Sequence, residues 1–314
     1  MHELVLIALG GNAIKTEGER GTFEQQYRNV YECCKGIAKI IKEGYRVVIT
    51  HGNGPQVGNL LIQQEEAAEV VPPQPLHVCV AMTQGQIGYM IQQALGNRLK
   101  ELGAEVPVVS LITQILVDKE DPDFKDPHKP IGPFYDEATA RRYAAERGYV
   151  IKRVRPVGSK QYRRVVPSPE PLEVVELRAV KTLVEAEVVV IAAGGGGVPV
   201  IEEDGLRGVD AVIDKDLAGE RLAEALKADV LMILTDVDRV YLHYGKPAQM
   251  PINEMSVVEA RRYLEEGHFL KGSMEPKVRA CVRFLEKGGK RAIIAHVYKA
   301  YEALKGIEGT HILP

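Results

Sequence analysis

The sequence contains no tryptophan and only four cysteines, and no apolar run approaches the roughly 18 residues that a membrane-spanning helix needs. Cys33 and Cys34 are adjacent, while Cys79 and Cys281 stand alone, so no pair has a metal-binding spacing. The first residues, MHELVLIALG, lack the basic region and the small-residue cleavage site of a signal peptide. We therefore expect a cytoplasmic protein without membrane contact and without a structural metal.

Basic and acidic residues are nearly equal in number. The 40 basic and 43 acidic residues leave a formal net charge of -3, which argues against nucleic acid as a partner. At 314 residues and 45% apolar composition, the chain is long enough to bury a sizeable core in one large or two moderate domains. This composition is ordinary for a globular enzyme acting on small molecules.

Several common site motifs are also absent. The sequence has no G-x-x-x-x-G-K-[ST] and no H-E-x-x-H, and its glycine runs lack the G-x-G-x-x-G spacing of a dinucleotide site. The eight histidines show no ligand pairing. His51 lies beside a glycine turn, where a hydrogen-bonded structural role is favoured over substrate contact.

Short apolar runs alternate with helix patterns. The predicted strands cover residues 5–9, 47–50, 106–112, 188–193, 230–234 and 292–295. Such continuous β-branched runs are typical of strands that are covered on both faces. Thr22 and Gln25 resemble a capping box ahead of a helix whose apolar stripe includes Cys34, and QIGYMIQQALGNRLKELG and DLAGERLAEALKA predict two more helices. The alternation predicts an α/β fold with a mainly parallel sheet.

One segment departs from this alternation. Residues 118–171 are charged and contain nearly half of the 18 prolines, which is not typical of a core. A helix at about 136–147 and basic strands around 150–166 predict a small subdomain inserted between two sheet strands. It is either a surface decoration or a lid over a site, and long insertions are often functional.

Glycines follow three of the predicted strands. They are Gly10 and Gly11 before Asn12, Gly52 and Gly54 around Asn53, and the run 194–197. At the carboxyl ends of parallel strands, residues without side chains let backbone N–H groups approach an anion. A single such turn is conformational more often than functional, but three after three strands favour a phosphate or carboxylate site.

Lys215 is the first candidate cation for such a site. It stands between Asp214 and Asp216, where an apolar strand ends and a helix begins. Phosphoryl transfer requires positive charge placed around the migrating group, and a neighbouring carboxylate holds a lysine in its charged form.

An ordered set of motifs resembles the amino acid kinase family, and within it the carbamate kinases. The match covers essentially the whole chain, and two of its motifs, KPIGPFYDEATA and RRVVPSP, lie in the insertion that simpler members lack. The other markers are IALGGNA, THGNGPQVG, IAAGGGGVPV, VDAVIDKDLAGE, LTDVDRVY, GSMEPKV and GKRAIIAH.

The resemblance implies an open αβα sandwich with a protruding lid. Residues 1–225 would form the lobe for carbamate or carbamoyl phosphate, with the lid at about 118–171, and residues 226–314 the nucleotide lobe. The implied reaction is reversible phosphoryl transfer between ATP and carbamate, with ATP or ADP and Mg²⁺ as cofactors. It also implies a homodimer and a place in arginine metabolism.

The resemblance assigns site residues by motif. Lys129, Lys215 and Lys277 are the implied catalytic cations, and Asp216 orients lysines. The implied substrate-binding residues are Gly10, Gly11, Asn12, Gly52, Asn53 and Gly54. The implied nucleotide and magnesium residues are Asp210, Gly195, Gly196, Asp236, Tyr244, Met274 and Lys277. One position departs from the family pattern: Glu275 stands where glycine is expected before Pro276.

Two other functions compete with this one. The chain could be another amino acid kinase, for example one acting on acetylglutamate, although the lid motifs argue against that. It could also be a non-catalytic nucleotide or anion sensor, because a fold does not fix a function. The joint presence of Lys129, Lys215, Lys277 and Asp216 argues against a sensor.

Overall fold

The computed structural model describes residues 3–16, 18–155 and 158–314, with the side chain of Asn12 also outside the description. The strands, in chain order, are β1 Leu4–Leu9, β2 Arg46–His51, β3 Val108–Ser110, β4 Gln114–Leu116, β5 Lys129–Tyr135, β6 Ile151–Arg153, β7 Tyr162–Val166, β8 Glu173–Val174, β9 Val189–Ile191, β10 Val198–Glu203, β11 Gly205–Gly208, β12 Val230–Thr235, β13 Val240–Leu242, β14 Met250–Ile252, β15 Glu254–Ser256, β16 Arg291–His296 and β17 Thr310–Leu313.

The helices, in the same order, are α1 Phe23–Lys42, α2 Gly54–Glu66, α3 Leu76–Glu101, α4 Glu137–Arg147, α5 Leu177–Glu185, α6 Lys215–Leu226, α7 Val257–Glu265, α8 Met274–Glu286 and α9 Ala300–Leu304. Short 3₁₀ turns cover Gly11–Ala13, Pro122–Phe124 and Gly194–Gly196. The capping box predicted at Thr22 and Gln25 is present at the start of α1.

The main sheet has eight strands in the order β15-β17-β16-β12-β1-β2-β9-β3. Every neighbouring pair is parallel except β16 and β17. All six predicted strands belong to it, with ends that differ by up to two residues. The predicted mainly parallel sheet is therefore confirmed.

Alternate residues of β1 enter two different cores. Leu6 and Ala8 pack in a core with α5, α6 and α8, whereas Ile7 and Leu9 pack in a core with α1, α3 and α9. A strand covered on both faces explains the continuous apolar runs. The fold is thus an αβα sandwich, as expected. β1 pairs directly with β12, so one sheet runs through both predicted lobes.

The insertion contains a separate three-stranded sheet in the order β5-β7-β6, together with α4. Its flanks are tied to each other, because Asp123 and Asp121 accept hydrogen bonds from the backbone of Ser168 and Glu170, at 2.9 and 3.0 Å. Residues 156 and 157 within it lie outside the described part of the chain. The segment 118–171 thus contains a small sheet and a helix of its own, and its assignment as a protruding lid stays a prediction.

A second sheet, in the order β11-β10-β4-β8, was not expected. It lies between the main sheet and the insertion, and its strands β4 and β8 are only three and two residues long. Within residues 3–16, 18–155 and 158–314, no helix combines the length and the apolar character needed to cross a bilayer.

Candidate active site

The first two glycine turns meet at one edge of the main sheet. Gly10 donates its backbone N–H to Leu234 O at 2.8 Å, and Gly52 donates to Leu9 O at 2.9 Å. A Cβ at Gly52 would stand 3.0 Å from the backbone nitrogen of Gly11 and 3.2 Å from Cδ of Lys215. A side chain at position 52 would therefore press on two other parts of the site, which approach the glycine backbone closely.

Helix α6 presents Lys215 and Asp216 at this edge. Asp214 is the N-cap of α6, and its Oδ1 accepts hydrogen bonds from the backbone nitrogens of Asp216 at 2.9 Å and Leu217 at 3.4 Å. The cap fixes the first turn of the helix. The helix N-terminus also adds partial positive charge, which favours an anion there.

One buried carboxylate holds two lysines. Asp216 accepts a hydrogen bond from Lys215 at Oδ1 and another from Lys277 at Oδ2, the latter at 3.0 Å. The side chain of Asp216 is only 3% exposed. Burial alone would raise its pKa, but the two ammonium groups outweigh burial and lower the pKa to about 2. Asp216 is therefore ionised at neutral pH.

The two lysines respond differently to this environment. Burial lowers the pKa of Lys215, and its attraction to Asp216 only partly opposes that effect. For Lys277, burial also disfavours the charge, but Asp216 and the other nearby carboxylates outweigh it and raise the pKa. The pair places two cationic nitrogens on either side of one carboxylate, beside the glycine turns.

Lys129 reaches the same place from the insertion. It begins β5, and its Nζ lies 3.3 Å from Oδ2 of Asp214. These two residues also line an open cleft of about 610 Å³ between the insertion and the N-termini of α6 and α8. The structure thus brings together Lys129, Lys215, Lys277 and Asp216, which the sequence predicted as one catalytic set.

The third glycine run packs against the second turn. At Gly194 an added Cβ would stand 2.3 Å from Nε2 of His51, and at Gly195 it would stand 2.2 Å from Nδ2 of Asn53. Gly196 meets the carbonyl oxygen of Ile213 at 2.4 Å in the same way. Gly195 and Gly196, predicted as nucleotide residues, therefore lie behind Asn53 and the start of α6.

His51 is buried beneath this contact. Its Nδ1 lies 3.0 Å from the carbonyl oxygen of Gly52, and burial lowers its pKa to about 4. The ring is therefore neutral at physiological pH and donates to that carbonyl from Nδ1. This geometry agrees with the structural role favoured from the sequence.

The predicted nucleotide residues Asp236, Tyr244 and Met274 line a single cavity of about 130 Å³ after β12. The cavity is also lined by His268, Phe269 and Leu270, which lie outside the motifs that the resemblance assigned to the nucleotide. Asp236 directly follows β12 and accepts a hydrogen bond from Thr235 at 3.0 Å. An aromatic and apolar wall with a few polar groups is typical of a small-molecule pocket.

The contacts that the structure describes for Asp210 are with side chains other than Lys129, Lys215 and Lys277. It lies 3.3 Å from Nδ1 of His77 and 3.5 Å from Nη2 of Arg164, at a second cavity between α2 and the insertion. Its assignment to the nucleotide and magnesium came from the family resemblance alone, and it stays a prediction. Gly54 is the first residue of α2, and the side chain of Asn12 lies outside the described residues.

Glu275, the departure from the family pattern, lies in the first turn of α8. Its carboxylate accepts a hydrogen bond from Arg279, one turn later, and lines the cleft that contains Lys129. Its backbone nitrogen donates to Leu270 O at 3.1 Å. The substitution is accommodated by an ion pair within the helix, and Lys277 keeps its bond to Asp216.

Sequence reasoning also missed a set of buried hydroxyl and amide side chains behind the glycine turns, consisting of Thr50, Thr83, Gln84 and Thr113. Thr113 Oγ1 accepts from the backbone nitrogen of Ala193 at 2.6 Å, and Thr50 Oγ1 donates to the carbonyl oxygen of Ala193 at 2.9 Å. Ala193 has a positive φ of 52°, which is unfavourable for a residue with a Cβ. These bonds hold the glycine run in place. The only signal in the sequence was polar side chains inside apolar segments.

Fold and site together define a phosphotransferase with three lysines converging on glycine turns at the edge of an αβα sandwich. The family model for the amino acid kinase family matches residues 3–296. The carbamate kinase of Pyrococcus furiosus is 56% identical over 317 residues, covering 100% of both chains, and that of Thermococcus kodakarensis is 55% identical, covering 98% of both.

The comparison with solved structures leads to the same family. Carbamate kinase from Giardia lamblia bound to AMP-PNP has a TM-score of 0.93 and 45% identity, covering 99% of this chain and 98% of that one. The chain belongs to the amino acid kinase family, in its carbamate kinase branch. N-acetylglutamate synthase from Neisseria gonorrhoeae, at a TM-score of 0.56 and 14% identity, shares the fold alone.

Proposed function

We propose that the chain catalyses reversible phosphoryl transfer between ATP and carbamate, giving ADP and carbamoyl phosphate. The observation that carries this proposal is the pair of lysines, Lys215 and Lys277, held by the single buried carboxylate of Asp216 beside two glycine turns. The names of relatives that are 42–56% identical over nearly their whole length support the choice of carbamate.

The residues have separate tasks in this reaction. The phosphoryl group moves between two oxygens that both carry negative charge, so the barrier is lowered mainly by fixed positive charge. Lys215 and Lys277 supply that charge. Asp216 keeps both ammonium groups in position, and the backbone N–H groups of the Gly10–Gly11 and Gly52 turns receive the anionic oxygens.

The nucleotide would bind in the cavity lined by Asp236, Tyr244 and Met274, with its phosphates toward Lys277. Mg²⁺ would bind together with the nucleotide, through its phosphate oxygens. Within the described parts of the chain, no cluster of three or more acidic, histidine or cysteine side chains is arranged to cage a metal ion. A magnesium ion held largely by phosphates and water, with one or two carboxylates, fits that donor set.

The insertion would act as a lid that delivers Lys129. Carbamate is small and offers few groups to recognise, and carbamoyl phosphate decomposes in water, so a cover that excludes water favours transfer over hydrolysis. The ion pair between Lys129 and Asp214 supports this role, because it joins the insertion to the first turn of α6.

One assay separates this function from its competitors. The purified protein, given Mg²⁺, ADP and carbamoyl phosphate, should form ATP well above the spontaneous background. With ATP, it should not phosphorylate acetylglutamate, aspartate or uridine monophosphate, because the covered site is too small for them. Nucleotide binding without turnover would identify a sensor, and turnover of a larger substrate with carbamoyl phosphate inert would place the protein elsewhere in the family.

The proposal includes a homodimer built on α3. Residues 78–97 of this helix contain no charged side chain, although 26% of the chain is charged. Met82 and Tyr89 are nevertheless exposed on it, and Ile112 is exposed in the loop after the edge strand β3. An uncharged helix face beside a sheet edge is suited to a second copy of the same surface.

The proposal also places the enzyme in the cytoplasm, with the role in arginine metabolism that the resemblance implies. All four cysteines are free and buried. Free thiols are typical of proteins that work in a reducing compartment.

A further inference from the structure

The side-chain amide of Asn53 is held in one orientation by a threonine of a neighbouring helix. Asn53 follows β2 and is 5% exposed. It is the N-cap of α2 but makes no capping hydrogen bond. Its Nδ2 instead donates to Oγ1 of Thr83 in α3 at 2.8 Å.

The hydroxyl of Thr83 favours this orientation. Its Oγ1 lies 2.7 Å from the carbonyl oxygen of Val80, to which it donates its single hydrogen. Toward Asn53 the hydroxyl is therefore only an acceptor. A flipped amide would place Oδ1 against another acceptor unless the hydroxyl gave up its bond to Val80, so the observed hydrogen bonds favour the orientation with Nδ2 toward Thr83.

The carbonyl oxygen of Asn53 consequently points away from Thr83, and no hydrogen bond reaches it within the described residues. The amide also packs against Gly195, where an added Cβ would stand 2.2 Å from Nδ2 and 2.9 Å from Oδ1. The missing side chain at Gly195 and the bond to Thr83 together leave Asn53 with one fixed free acceptor.

Asn53 is next in the chain to a residue that contacts the reacting groups. Asn53 directly follows Gly52, the residue whose backbone is approached by Gly11 and by Lys215. Carbamate and carbamoyl phosphate carry an amino group, which is a hydrogen-bond donor. The corresponding acetyl compound carries a methyl group, which cannot donate.

We propose that Oδ1 of Asn53 accepts a hydrogen bond from the amino group of the substrate, and that Thr83 is the positioning residue that makes this acceptor available. This inference rests on the proposed function and adds a basis for its specificity. The pair selects carbamoyl phosphate over an acyl phosphate of the same size, because acetyl phosphate offers this acceptor no hydrogen-bond donor.

The test measures kcat/KM for ADP phosphorylation by carbamoyl phosphate and by acetyl phosphate on the same protein samples. Thr83→Val removes the hydroxyl at nearly constant volume and frees the amide to rotate. We expect the ratio of the two kcat/KM values to fall about tenfold, which is the effect of one hydrogen bond of about 1.4 kcal/mol. The ratio is independent of the folded fraction, since both substrates meet the same sample.

Two further variants complete the test. Thr83→Ser keeps the hydroxyl and should keep the wild-type ratio. Thr182→Val removes an exposed hydroxyl that bonds within helix α5, to Arg178 O at 3.0 Å, and should leave the ratio unchanged. Equal losses for both substrates in Thr83→Val, or no loss, would overturn this inference alone. A wild-type protein inert toward carbamoyl phosphate would overturn the proposed function, and this inference with it.

Discussion

Lys277 Nζ lies 3.0 Å from one carboxylate oxygen of Asp216, and the other oxygen is bonded to Lys215. Asp216 and Lys277 are 61 positions apart in the chain and meet because α8 packs on α6. A single negative charge between two ammonium groups reduces their mutual repulsion. It also keeps a net positive charge directed at the glycine turns, where an anion would bind.

The two lysines at Asp216 should be essential for turnover. Replacing Lys215 or Lys277 by alanine removes a preorganised cation, which typically costs about 100-fold to 1,000-fold in kcat. ATP formation from ADP and carbamoyl phosphate measures this loss. Lys287→Ala provides the control, because that lysine directly follows α8, its side chain is 59% exposed, and its Nζ lies 3.9 Å from a carboxylate oxygen of Glu224. Near-normal turnover in both active-site variants would refute the assignment.

Glu220 should make stability depend on pH near neutrality. Burial raises its pKa to about 7, against an ordinary value of 4.5, with Arg221 opposing the shift and Glu224 adding to it. The unfolded state ionises at lower pH than the folded state. The free energy of unfolding should therefore fall by up to about 3 kcal/mol as pH rises from about 4.5 through 7.

The variant Glu220→Gln tests this dependence. It should match the wild type near pH 4.5, exceed it above pH 7, and flatten the profile of urea unfolding between those limits. Glu105→Gln, at an exposed site, should reproduce the wild-type profile. Parallel profiles for Glu220→Gln and the wild type would show that Glu220 is not the titrating group.

The insertion should open readily when the protein is empty. One 3.3 Å ion pair between Lys129 and Asp214 joins the start of β5 to α6. Hydrogen exchange in 118–171 should be fast without ligands and slow with nucleotide plus carbamoyl phosphate. Exchange in β1, buried on both faces, serves as the internal control. Identical exchange in both states would indicate that the insertion is a fixed surface feature and does not move as a lid.

The uncharged face of α3 should hold the homodimer together. Tyr89→Glu places a carboxylate at its centre and should shift the mass measured by light scattering from dimer to monomer. Val258→Glu introduces the same charge at an exposed apolar site on α7 and should leave the dimer intact. A dimer that persists in Tyr89→Glu would place the interface on another surface.

The sequence predicted the main sheet well, because its buried strands are continuous apolar runs such as residues 230–234. It also predicted that the glycine turns share one site, since the carboxyl ends of parallel strands meet at one edge, whereas Lys129 and Lys277 were assigned by the resemblance alone. Lys215 and Asp216 were recognised from their own neighbours at the start of α6. The strands β4 and β8 were missed because two or three residues show no periodicity.

The other features of the site depend on tertiary packing, which the sequence pattern does not show. The contact of Lys277 with Asp216 depends on how α8 lies against α6, which no local pattern encodes. Asp210, which the resemblance alone assigned to the nucleotide and magnesium, contacts Arg164 and His77 in the structure, and its assigned role stays a prediction. Thr83 was missed because a hydroxyl in an apolar helix carries no periodic signal.

The two oxygens of Asp214 serve two different partners. Oδ1 caps α6, while Oδ2 receives Lys129 from the insertion. In the proposed reaction, an incoming phosphate would draw Lys129 away without loosening the helix, because the cap does not depend on the lysine. When the product leaves, the vacated oxygen would still be in place to receive Lys129 again. Asp214 would then be the resting partner of this lysine, and each catalytic cycle would start from the same arrangement.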